Sequence, residues 1–260
     1  MTRLIGSASL PMLDPFLLLD EFRSDDPDDY VAGFPDHPHR GFETVTYMLA
    51  GRMRHKDNKG HEGVIGPGGI QWMRAGGGIV HSEMPEQVDG LMWGYQLWIN
   101  LPAAMKMAPA GYQEFEAAQI PTYTSDDGAT VRVIAGTSAT GVTGPIEHAP
   151  LAPLYLDFEL PPDAGLLQGV DPDSNAFIYL YDGSAEVLAP PRAGKRIGAG
   201  QVNVLGAGDT VHLRGGDDTA RGILLAARPV NEPVARGGPF VMNTRDEILQ
   251  AFEDYQAGRF

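Results

Sequence analysis

Turn-forming residues cut this chain into short pieces along its whole length, and that limits what it can build. The 33 glycines and 21 prolines among 260 residues are spread throughout rather than gathered in one tract. Many short elements joined by tight turns are therefore expected, with little room for long helices. Between the turns the segments are β-like. Thr44 to Leu49 alternates and is β-branched before Ala50-Gly51 turns it. Gln71 to Met73, Leu91 to Leu101, Thr130 to Ile134, Leu154 to Leu160, Ala176 to Tyr181, Ala185 to Leu188 and Gly222 to Ala227 read the same way. That is the rhythm of an all-β sandwich or barrel. The clearest helix signal lies at the end, where Thr244-Arg-Asp-Glu247 makes a capping box, Ile248, Leu249, Phe252 and Tyr255 follow, and Gly258 can stop the helix.

The two halves read as weak copies of one another. Tyr47-Met-Leu-Ala-Gly51, a short strand and Gly66-Pro-Gly-Gly69 in the first are echoed by Tyr179-Leu-Tyr-Asp-Gly183, a short strand and Gly206-Ala-Gly-Asp209 in the second. Each half is expected to form one antiparallel barrel: residues 1–136, a Gly and Pro-rich linker at 137–153, and residues 154–260 ending in the helix.

Charge and composition narrow the function. With 34 acidic and 19 basic residues the formal charge is -15, which repels a phosphate backbone, and direct nucleic-acid binding is not expected. The densest basic stretch, Arg52 to Lys59, contains Asp57 and is followed by Glu62. Apolar runs such as Phe16 to Leu19 and Ile223 to Ala227 are too short to cross a bilayer, and the start lacks the pattern of a signal peptide. A cytoplasmic protein without a membrane partner is expected. Cysteine is absent, so any transition metal must be held by imidazole and carboxylate.

Those ligands are concentrated in the first half. His37-Pro-His39 places two imidazoles at i and i+2, on one face of an extended chain and about 6.5 Å apart along it. His81-Ser-Glu83 repeats the spacing with an imidazole and a carboxylate. Two neighbouring strands can thus offer four ligands to one divalent ion. This donor set suits iron(II), manganese, nickel, copper or zinc, and an octahedral ion would keep two positions open. His55 and His61 flank a polar hairpin and suit supporting roles, and the second half has no such pairs, so it is expected to be metal-free.

At these residues the chain resembles the pirin family. The segments that carry the likeness are His37-Pro-His-Arg-Gly-Phe-Glu-Thr44, Gly60 to Gly68, Ile70-Gln-Trp-Met73, Gly78-Ile-Val-His-Ser-Glu-Met-Pro85, Gln96-Leu-Trp98 and Gly238-Pro-Phe-Val-Met-Asn-Thr244. The resemblance implies a bicupin, two antiparallel barrels of the double-stranded β-helix type, with one metal, iron(II) above all, on His37, His39, His81 and Glu83. Glu43 stands where most cupins have a ligand, and pirin-like proteins are expected to use Glu83 instead. Three consecutive glycines, Gly76 to Gly78, are expected to loosen the turn before His81. The C-terminal segment is expected to cover the mouth of the first barrel, with Phe240, Val241 and Ile248 joining Phe34, Met53 and Gln96 around a substrate.

The resemblance also implies an activity. Pirin-like proteins are similar to quercetin 2,3-dioxygenases, in which a flavonol chelates the metal and dioxygen opens its central ring with release of carbon monoxide. Glu83 would serve as ligand and as the base that takes the flavonol 3-hydroxyl proton. The alternative is a non-enzymatic regulator whose metal oxidation state controls binding to a transcription factor or an enzyme. A zinc sugar isomerase is disfavoured by the lack of a basic pocket for phosphate.

Overall fold

The computed structural model describes residues 1–148, 150–189 and 192–260. They group into two compact units, Met1–Ala117 with Val230–Phe260, and Ala118–Pro229. In the first unit β1 (Thr2–Ile5), β2 (Phe16–Ser24), β3 (Phe34–His39), β4 (Phe42–Ala50) and β5 (Met53–Asp57) lead to β6 (Glu62–Ile65), β7 (Ile70–Arg74), β8 (Ile79–Pro85), β9 (Met92–Asn100) and β10 (Gly111–Phe115). The second unit holds β11 (Thr122–Thr124), β12 (Thr130–Ala135), β13 (Leu154–Leu160), β14 (Gly165–Gly169) and β15 (Asn175–Asp182). It continues with β16 (Ser184–Ala189), β17 (Arg192–Gly198), β18 (Val202–Val204), β19 (Thr210–Gly215) and β20 (Ala220–Ala227). The chain then returns to the first unit as β21 (Ala235–Gly237), β22 (Phe240–Met242) and α1 (Arg245–Gln256).

Each unit is a pair of antiparallel sheets, and the two share one strand order apart from an extra edge strand in each larger sheet, β10 in the first and β11 in the second. The first combines the order β1-β2-β9-β4-β7-β10 with β3-β8-β5-β6, and the second combines β11-β12-β13-β20-β15-β18 with β14-β19-β16-β17. The inner faces of the first unit's sheets meet where Thr46 of β4 and Gln96 of β9 donate to Glu83 of β8. The repeat is visible in detail. Gly51 and Gly183 both turn the chain at positive φ, +78° and +68°, where glycine alone is unstrained. Four residues beyond, His55 pairs with Glu83 in the first unit and Val187 pairs with Leu213 in the second. Polar positions of one unit are thus apolar in the other, where Leu213 is fully buried. Gly206-Ala-Gly-Asp209 leads into β19, the counterpart of β8 rather than of β7, so the sequence echo is displaced by one strand at that point.

The compact units are drawn differently from the sequence halves. Residues 118–136 belong to the second unit because β12 pairs with β13. The stretch 137–153, expected as a linker, buries Ile146 and Leu151 and forms the bridges Ala135 to Ile146 and Thr137 to Thr143, while its residue Ala149 lies outside the described residues. The last 31 residues, 230–260, leave the second half altogether. At α1 the capping box is complete, with Thr244 accepting from the Glu247 amide and Glu247 accepting from the Thr244 amide, worth about 1 kcal/mol. The buried face of α1 is Ile248 and Ala251, whereas Leu249 points outward.

Candidate metal centre

Strand register builds the site. On β3 and β8, His37 lies directly opposite His81, and Glu83 lies two residues along β8 on the same face. The alternation along β8 buries Ile79, His81 and Glu83 and leaves Val80, Ser82 and Met84 less covered. His39 follows His37 at the end of β3 and is 3 % exposed. His37, His39 and His81 each offer a nitrogen, and these atoms lie within 4.8 Å of one another.

The protonation of the rings follows from their partners. His37 Nδ1 is 2.8 Å from the Pro35 carbonyl and His39 Nδ1 is 3.4 Å from the Pro239 carbonyl. A carbonyl only accepts, so each Nδ1 carries a hydrogen, and Nε2 is the nitrogen left to present a lone pair when the ring is neutral. The two Nε2 atoms are 3.1 Å apart, and lone pairs so close need a cation or a proton between them. His81 is fully buried and among the described residues neither of its nitrogens has a hydrogen-bond partner, an arrangement that ordinarily costs free energy. Burial pushes His81 down to about 4 and, with the neighbouring His81 and His37, holds His39 well below its ordinary value. Neutral rings with converging lone pairs are the form in which imidazole binds metal, so the three histidines fit a divalent transition ion.

Glu83, the fourth expected donor, stands outside this group of three. Its Oε1 accepts from Thr46 Oγ1 at 2.9 Å and from Gln96 Nε2 at 3.0 Å, and its Oε2 accepts from Gln96 Nε2 at 2.8 Å. The carboxylate is thus turned toward the opposite sheet while remaining on the face that carries His81. Glu43 points the other way, as its odd position on β4 requires, and accepts from Trp72 Nε1 at 2.7 Å. Beside Glu83, His55 is buried with Nε2 2.7 Å from Glu114, and Asp57 accepts from His61 Nδ1 at 2.8 Å.

The expected substrate residues divide. Phe34, opposite Glu83 in register, and Met53 line a cavity of about 240 Å³ together with Phe22, Tyr30, Pro85 and Met92. Gln96 serves Glu83. Phe240 and Ile248 are instead packed with Met242 and Ala251, and Val241 with Leu17 and Phe42. The tail spends its apolar side chains on docking itself: Phe240 meets Phe252 and Phe260 edge to face at 4.9 and 5.5 Å. Sequence reasoning missed Thr46, whose only signal is a hydroxyl among the inward positions of β4, and the Pro239 carbonyl, for which the side-chain pattern gives no signal.

The sequence profile of pirin matches residues 1–99, and that of the pirin C-terminal cupin domain matches residues 155–260. The chain belongs to the pirin family. A pirin-like protein of Caulobacter vibrioides is 55 % identical over 100 % of this chain and 92 % of its own. Human pirin is 44 % identical over 98 % of this chain and 85 % of its own. Among solved structures, a quercetin 2,3-dioxygenase from Acinetobacter baumannii superposes with a TM-score of 0.88 at 33 % identity, covering 99 % of this chain and 90 % of that one. The two profiles fall one on each half of the chain, and the histidine group lies within the stretch that the first one matches. Among the described residues no helix is long and apolar enough to cross a membrane.

Proposed function

We propose that this chain is a mononuclear metal-dependent dioxygenase acting on flavonols such as quercetin, with iron(II) held by His37, His39, His81 and Glu83. The observation that carries the reading is the trio of converging imidazoles, with His39 and His81 buried and His37 partly so, together with Glu83 on the same face of β8 and a cavity lined by Phe34, the register partner of Glu83. The likeness to a solved quercetin 2,3-dioxygenase supports it. The bound ion would supply Lewis-acid and redox chemistry for a chelating substrate and dioxygen.

The chain's own residues do the rest. Phe34, Met53 and Phe22 offer apolar and aromatic surface to a flat polyphenol. Glu83 takes the 3-hydroxyl proton at a carboxylate oxygen, and Thr46 and Gln96 hold that carboxylate in place. Glu83→Gln tests the role of the base, since the amide coordinates weakly and accepts no proton. It should keep more metal than His81→Ala and lose flavonol-dependent oxygen uptake; unchanged turnover per bound metal would remove Glu83 from that role. A protein-binding regulator is the reading left if the loaded chain leaves flavonols intact.

A further inference from the structure

The C-terminal segment runs beside the end of β3 residue by residue. The Pro239 carbonyl meets His39 Nδ1 at 3.4 Å, the Val241 amide donates to the Arg40 carbonyl at 3.0 Å, and Arg40 and Phe240 form a parallel bridge. The two backbones approach so closely that a β-carbon on Gly41 would fall 1.9 Å from the Val241 carbonyl oxygen. Lys106 reaches into this contact and is 1 % exposed. Its Nζ donates to the carbonyls of Gly41 at 2.7 Å and Val241 at 3.1 Å and to Asn100 Oδ1 at 2.7 Å. One ammonium thus ties the corner after His39 to the C-terminal strand.

A second fastening lies one residue from His39. Arg40 donates to the Gly77 carbonyl and to Asp254 of α1, both at 2.7 Å, and its guanidinium lies 4.3 Å from the Phe260 ring centre. The same ring occupies the space beside Gly78, where a β-carbon would come within 2.8 Å of it. The Phe260 carbonyl accepts from Asn58 Nδ2, and Asn58 Oδ1 accepts from the Val80 amide, both at 3.1 Å. The glycine run before β8 is therefore a seat for the tail rather than a loosened turn. The tail grips both strands that carry the imidazoles, and nothing in the proposed reaction uses Lys106 or Arg40.

We propose that residues 239–260 are a strap whose Pro239 carbonyl fixes His39 with Nε2 facing the other two rings, and that Lys106 and the Arg40–Asp254 pair are its fasteners. They are positioning residues for the metal centre, and the inference rests on the reading that His37, His39 and His81 hold an ion. A ring held by a carbonyl has lost the wrong tautomer and the wrong flip before an ion arrives, so loosening the strap puts that ordering cost back on binding. Loss of an outer partner of a metal-bound histidine typically weakens affinity about 10–100-fold.

The test is cobalt(II) titration of the intact chain against a competing chelator, read by visible absorption, for wild type, Asp254→Asn and Lys106→Met, with circular dichroism to establish the fold. Wild type should bind one cobalt(II), Asp254→Asn should bind about tenfold more weakly and Lys106→Met more weakly still, each with an altered ligand-field spectrum on a native fold. Folded variants with wild-type affinity and spectrum would overturn the strap while leaving the metal reading intact. If Lys106→Met does not fold, Asp254→Asn decides alone by the same criterion. Wild type that binds no cobalt(II) overturns the metal reading and the strap together.

Discussion

His37 and His39 face each other through their Nε2 atoms at 3.1 Å, each with its Nδ1 committed to a backbone carbonyl. Two imidazoles fixed this way turn their Nε2 atoms to the same point, and His81 adds a third nitrogen without a hydrogen-bond partner among the described residues. The convergence of these nitrogens is built into the backbone as much as into the side chains.

Removal of one of these rings should therefore cost more than removal of any supporting group. His81→Ala and His37→Ala are expected to lose more than about 100-fold in divalent-ion affinity, beyond the range for outer partners. His212→Ala, on β19 of the second unit, should bind as wild type does. Elemental analysis after dialysis checks this; full occupancy in His81→Ala would contradict it.

Thr46 is 1 % exposed and its hydroxyl donates to the Glu83 carboxylate. Thr46→Val keeps the shape and removes a hydrogen bond to a charged group, so stability should fall by about 1.5–3 kcal/mol. Urea unfolding of the metal-free protein measures this. A change within about 0.5 kcal/mol, the range of an ordinary surface substitution, would mean that Glu83 is held by Gln96 alone.

Lys106 gives the fold a pH dependence in alkali. Burial pushes its ammonium down to about 8, against the opposing pull of Glu232 and Glu247, while an unfolded chain holds that proton to about 10.4. Between these values the unfolded state binds more protons, so this group's contribution to stability rises with pH and is lost as pH falls through about 8. Unfolding at pH values on either side of 8 should show the wild type gaining on Lys106→Met as pH increases. A difference between the two that is flat with pH would contradict the buried, partly destabilised ammonium.

Much of this architecture is legible in the sequence where side-chain period and strand period coincide. β13 runs Leu154–Leu160, the bounds its alternation gives, and the i, i+2 spacing of His37 with His39 and of His81 with Glu83 places each pair on one face. Thr244 and Glu247 mark the start of α1 because capping is a local interaction. Other features have no local signal. β2 buries Phe16 to Asp20 without a break, so it shows no alternation to read. His55 and Asp57 look like a polar hairpin because they are polar, yet both point inward toward Glu83 and His81 across the strand pair. The return of residues 230–260 to the first unit depends on contacts some 200 positions apart, such as His39 with Pro239. The expectation that the tail reaches the first barrel comes from the family resemblance, and the residues of the tail do not name these partners.

The most direct test of the central claim is metal content and flavonol-dependent oxygen uptake measured on the same iron(II)-loaded sample. One ion per chain is expected, with oxygen consumed in equal amount to the carbon monoxide released and at a rate proportional to bound iron. A protein that carries its full complement of metal and consumes no oxygen with quercetin or related flavonols would contradict the account.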